Sequence, residues 1–141
     1  RTMAVALPTL NTEQRVTSLQ AIKARHGAPP WSERIVVNDR CTTTVICQAP
    51  GHSNDWHYHL VDEWWMIAEG EQAWEIEGFH EPHFVKAGDF VYVPAGHYHL
   101  IHVLGEAPAI RIAVSYTGEH HRHERDVPPT PPRPQEIEGR R

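Results

Sequence analysis

The sequence predicts an all-β fold, a small sandwich or barrel of short strands in a single domain. Three observations carry this. Between Ser32 and Tyr116, short runs rich in Val, Ile, Thr, Trp and Tyr alternate with Gly, Pro and Asp. These runs recur at short, regular intervals with nothing helical between them, which disfavours a parallel α/β sheet. A chain of 141 residues can bury one core and leaves no room for a second domain.

In chain order, residues 1–31 form an N-terminal segment with one short amphipathic helix, from Leu10 to about Arg25. Asn11 or Thr12 is its expected N-cap. Val16, Leu19 and Ile22 recur at helical spacing, and Gly27 follows the end. The run APPW at Ala28–Trp31 then breaks the helix. Residues 32–117 hold the expected strands: Glu33–Val37, Cys41–Gln48, Asp55–His59, Glu63–Glu69, Gln72–Glu77, His80–Val85, Phe90–Pro94, His99–Val103 and Ala109–Ser115. A tight hairpin is expected around Gly78. Residues 118–141 form an extended, Pro-rich arm that cannot make a ladder. Its last residues contain Ile-Glu-Gly-Arg, the recognition sequence of a protease used to cleave tags, and are set aside with the two residues ahead of Met3.

Composition excludes several classes. Net charge is -5 with histidine neutral, and the basic residues are scattered, so no nucleic-acid face is expected. No apolar run approaches the roughly 18 residues that span a bilayer. No signal peptide is legible, and a cytoplasmic location is expected. Cys41 and Cys47 share one extended run, roughly 20 Å apart, too far to bridge each other. Histidine is the outlier, with 12 residues.

The stretch DWHYHLVDEWW, Asp55–Trp65, concentrates the chemistry. In a strand, His57 and His59 point to one face, about 7 Å apart at Cα, while Trp56 and Tyr58 point to the other. A turn can return Glu63 to the same place. Two imidazoles and a carboxylate suit Fe(II), Mn(II), Ni(II), Co(II) or Zn(II) and leave coordination positions open. Further along, AGDFVYVPAGHYHLIH offers His99 as a fourth ligand candidate, at the start of a strand after the turn at Pro94 and Gly96.

Together the two blocks closely resemble the paired motifs of the cupin superfamily. The first has Gly51, five residues, His57, one residue, His59, three residues, Glu63, six residues and Gly70. The second has Gly88, five residues, Pro94, one residue, Gly96, two residues and His99. The pattern departs at Val103, where the family often carries asparagine. The resemblance implies a double-stranded β-helix, a jelly-roll barrel, with a metal held inside by His57, His59, Glu63 and His99.

Other residues have two readings. Trp65 shares a face with Glu63 and is expected to wall the metal pocket. Trp56, Trp64 and Trp74 are expected to pack in the core or an interface, and an outward tryptophan needs cover, which favours a homodimer. His97, at the barrel mouth, and Tyr92 are the candidate proton-shuttling groups. His52, His102, Glu75 and Glu77 are expected in solvent or on the outer face. Arg111 is a carboxylate clamp if it faces the interior. The apolar face made by Ile110, Ile112 and Val114 favours instead a surface position. The tail run EHHRHERD has spacing suited to neither a strand nor a helix site and is expected to be solvated.

The function expected from the resemblance is a small metal-dependent cupin, Fe(II) favoured, acting as a dioxygenase on a small chelating aromatic or carboxylate substrate. The same site also serves isomerases and lyases that use the metal as a Lewis acid, and a non-catalytic small-ligand-binding module stands beside these.

Overall fold

The computed structural model describes residues 8–126. Its elements are one helix, α1 (Leu19–Arg25), and eight strands: β1 (Trp31–Val37), β2 (Cys41–Gln48), β3 (Glu63–Glu69), β4 (Glu71–Ile76), β5 (His83–Lys86), β6 (Phe90–Val93), β7 (His99–Leu104) and β8 (Ala109–Tyr116). They form two antiparallel sheets. One has five strands in the order β1-β2-β8-β3-β6, the other three in the order β5-β4-β7. This is the all-β fold that the alternating pattern predicts, arranged as the two-sheet jelly-roll that the resemblance implies. Among the described residues, no helix is long and apolar enough to cross a membrane.

Alternation decides what each strand buries. On β3, Trp65 and Ile67 turn inward, on β6 Val91 and Val93, and on β7 Ile101; with Trp74 and Ile76 of β4 they make the core between the sheets. A second apolar cluster lies on the outer side of the large sheet, where Val45, Cys47 and Ile110 meet Ile22 of α1, with Leu19, Trp31 and Ile112 packed against them. The large sheet therefore buries apolar side chains on both faces. Cys41 and Cys47 are both free thiols on the one strand β2.

The helix is shorter than its sequence predicts. Asn11 accepts hydrogen bonds from the N–H groups of Glu13 and Gln14 and closes a turn instead of capping a helix. Val16 is left 81% exposed. The true cap is Ser18, which accepts from the Ala21 N–H. A seven-residue helix is not stable alone, and packing of Ile22 and the Lys23–Glu69 ion pair hold it in place. At its end, Arg25 and His26 both reach Glu33 on β1.

Two strands also depart from expectation. Asp55–His59 makes only isolated bridges, His57 with His99 and Tyr58 with Arg122. The expected strand from His80 begins at His83, and the β4–β5 ladder ends at the pair Trp74–His83, so the connection through Gly78 is a longer loop rather than a tight hairpin. Between β3 and β4 the turn is tight. Gly70 has φ +81°, and a Cβ there would lie 2.7 Å from the Ala109 Cα and the Pro108 carbonyl oxygen, so only glycine fits.

Candidate metal centre

The two histidine-bearing segments are held together by backbone hydrogen bonds. The His57 N–H donates to the His99 carbonyl at 3.2 Å and the His99 N–H donates to the His57 carbonyl at 2.8 Å. The Gly96 N–H donates to the His59 carbonyl at 2.7 Å, and the Ala95 N–H to Asp62 Oδ1 at 2.8 Å. The turn at Pro94–Gly96 thus positions His59 as well as His99. His57 and His59 are 2% and 8% exposed, Trp56 just before them is 45% exposed, and Tyr58 between them is 7% exposed because the segment carrying Arg122 and Glu124 covers it.

All four expected ligands line one cavity of about 560 Å³, within the size of small-molecule sites. Ring centroids of His57 and His99 are 4.3 Å apart, those of His57 and His59 5.1 Å, and those of His59 and His99 5.7 Å. Glu63 Oε1 lies 2.9 Å from His59 Nε2. His59, Glu63 and His99 present donor atoms within 4.8 Å of one another, and so do His57, His59 and His121.

Two of these donors, His57 and His99, are in the state that a metal requires. Burial pushes the His57 imidazolium down to about 4, against the opposing pull of the Asp55 carbonyl. Burial and the neighbouring His57 push His99 down to about 3. Both rings are neutral near neutral pH, the ligating form. The Nδ1 of His57 faces the Asp55 carbonyl at 2.8 Å, which leaves Nε2 free to donate its lone pair. His59 Nδ1, Glu63 Oε1 and His99 Nε2 are buried without a hydrogen-bond partner. Buried polar atoms are rarely left so. The compact donor set of His59, Glu63 and His99, two nitrogens and a carboxylate, fits a divalent transition metal.

The cavity carries a counterweight to Glu63. Arg111 is 5% exposed and lines the cavity. One Nη donates to Gln48 Oε1, and Nε is buried without a partner. Burial lowers the guanidinium to about 10, with Glu63 opposing, so it remains charged. The surface position favoured from its apolar neighbours is therefore wrong. Ile110 and Ile112 point to the outer face under α1, and Arg111, Ala113 and Ser115 point inward. Trp65 is on the inner face, edge-on to His99 at 5.4 Å.

The Cupin domain family model matches residues 44–115, about half the chain. The chain belongs to the cupin family. Among solved structures this cupin is similar to a protein from Bacillus halodurans, with a TM-score of 0.68 and 15% identity over 81% of this chain and 89% of that one. It is also similar to a cupin-2 domain containing protein from Shewanella frigidimarina, with a TM-score of 0.62 and 13% identity over 75% and 99% of the two chains. An RmlC-like cupin with a double-stranded β-helix from Methanocaldococcus jannaschii matches with a TM-score of 0.58 and 25% identity over 65% and 84%. No curated protein matches the chain.

The cupin barrel leaves two expected residues outside its cavity. Tyr92 is 46% exposed on the outer face of β6, paired with Trp64, because alternation along β6 turns Val91 and Val93 inward. His97 is buried, but its Nδ1 faces the carbonyls of Pro94 and Ala95 and the ring does not line the cavity. Neither side chain lines the cavity that holds His57 and His99.

The tail run is the converse case. Residues Glu119–Asp126 are folded back on the barrel. The Tyr58 N–H donates to the Arg122 carbonyl at 2.9 Å and the Arg122 N–H donates to the Tyr58 carbonyl at 3.0 Å. Tyr58 and Tyr98 hydroxyls donate to the carbonyls of Glu124 and His123. Arg125 pairs with Glu77 and lies 4.5 Å above the Tyr98 ring. Glu77 is therefore ion-paired rather than solvated. Glu119 and His121 line the cavity. The signal available in the sequence was charge complementarity: EHHRHERD carries the cations that Asp55 and Glu77 lack locally. The Pro-rich arm beyond Asp126 lies outside the described residues.

Proposed function

We propose that this cupin is a metal-dependent enzyme, an Fe(II)-type dioxygenase acting on a small chelating carboxylate. The observation that carries the reading is the pairing, in one buried cavity, of orphaned His and Glu donors with a desolvated arginine. His57, His59, Glu63 and His99 would hold the ion. A divalent ion bound there supplies a Lewis-acidic centre with open positions and, when it is iron, one-electron chemistry.

The chain's own residues do the rest. A dication beside Glu63 and Arg111 leaves the cavity net positive, which favours an anionic substrate. Glu119, the other carboxylate lining the cavity, is already paired with Arg122. Arg111 presents an unpartnered Nε beside its Nη groups, the fork that matches a carboxylate with two hydrogen bonds. Trp65 and Ile101 form apolar wall that orients the rest of the substrate and excludes water.

The test is metal analysis of protein purified without chelator, then oxygen uptake by the iron-loaded protein with a panel of small chelating carboxylates. The expected result is uptake that depends on both iron and substrate. Turnover with another metal, and no oxygen uptake with iron, would overturn the dioxygenase reading. The ligand assignment is tested apart from it: a His57→Ala/His59→Ala double variant is expected to lose its metal.

A further inference from the structure

The four ligands above do not exhaust the donors in the cavity. His121 stacks on His57 with ring centroids 3.7 Å apart and planes 9° from parallel, and it meets His59 edge-on at 5.3 Å. With His57 and His59 it forms a donor set as compact as that of His59, Glu63 and His99. It arrives on a segment outside the matched family region, which ends at residue 115. Asp55 holds its ring from behind, with Oδ1 3.3 Å from His121 Nδ1.

We propose that His121 is a fifth, exchangeable protein donor to the ion held by His57 and His59, and that a bidentate substrate displaces it. This rests on the metal-dependent reading above. Two observations point the same way. The segment is a built part of the fold, anchored before His121 by the Leu60 N–H donating to Glu119 Oε1, and after it by the Tyr58–Arg122 backbone bridge and the His123–Asp55 pair. Of the donors, however, His121 alone is exposed, with 52% of its side chain open to solvent, whereas the other four residues are buried. Its ring is held by the His57 stack and Asp55 on one side and is open to solvent on the other, so a better ligand can displace it. Four protein ligands leave two positions on a six-coordinate ion, and a fifth leaves one. His121 thus sets whether a two-toothed ligand binds by simple addition or by exchange.

Co(II) is the probe, added to the metal-free full chain, with affinity read by chelator competition and coordination by visible absorption. His121→Ala is expected to weaken Co(II) binding about tenfold and to change the shape and intensity of the ligand-field bands. The adjacent exposed His120→Ala is expected to change neither. His121→Cys is expected to add a thiolate-to-Co(II) charge-transfer band, which a residue that only props the segment would not produce. Unchanged affinity and bands in His121→Ala, or no charge-transfer band in His121→Cys, overturns the role of His121 while leaving the barrel site standing. Retention of Co(II) by His57→Ala/His59→Ala overturns both.

Discussion

His57 and His99 are backbone partners. Each donates its N–H to the other's carbonyl, and the rings that follow from this pairing sit 4.3 Å apart at their centroids. The spacing of two ligands from distant parts of the chain is therefore set by main-chain hydrogen bonds, which side-chain substitution leaves intact. His99→Ala is expected to fold normally and to lose metal affinity by at least roughly tenfold. Asn54→Ala is expected to do the reverse. Its Oδ1 accepts from the Ile101 N–H at 2.6 Å, and loss of that acceptor costs about 1–3 kcal/mol of stability. Thermal unfolding and chelator competition on both variants separate the two effects.

Arg111 is a charge held in a buried place. Burial lowers its basicity, so the folded protein bears a cost in holding it charged. Arg111→Met is expected to leave the metal-free protein as stable or more stable, by about 1 kcal/mol. The same variant is expected to weaken binding of a small carboxylate to the Co(II)-loaded protein by about 10-fold to 100-fold, the loss of a charge-assisted hydrogen bond. Urea unfolding and calorimetric titration measure the two. Arg111→Lys, with no fork, is expected to recover only part of the binding.

Glu33 ties the helix to the sheet. It accepts from Arg25, Thr9 and His26, and these bonds, Arg25 foremost, hold its carboxyl down at about 2 against the opposing effect of burial. Because the folded value is depressed, its stabilisation is fully present above the ordinary value of 4.5 and is lost as pH falls from there toward 2. Glu33→Gln is expected to lower stability at neutral pH by up to about 1 kcal/mol. The difference from the unaltered protein is expected to vanish by the acid end of an unfolding series followed by circular dichroism.

The glycines of the motifs differ in what they tolerate. Gly70 combines positive φ with backbone atoms 2.7 Å from a would-be Cβ. Gly70→Ala is expected to destabilise by about 3 kcal/mol or more, since neither Ala109 nor Pro108 can step aside. Gly88 has positive φ but open space around it, so Gly88→Ala is expected to cost only about 1–2 kcal/mol. Urea midpoints for the pair test the distinction.

Much of this was legible from residues alone. Period-two alternation and turn residues placed β2 and β3 at their observed bounds. The spacing of His57, His59, Glu63 and His99, read with the turn glycines, named residues that the fold does bring to one cavity. Those signals are local, because each depends on strand pleat or turn geometry within a few residues. Tertiary structure decided the rest. Whether Ile110 or Arg111 faces the cavity depends on what covers the other side of β8, and that is α1, a helix whose own length is decided by packing. Whether EHHRHERD is solvated depends on Asp55, Tyr58 and Glu77 lying where its cations and carbonyls reach them. A strand's alternation says that its two faces differ, and only the packed neighbours say which face is the inside.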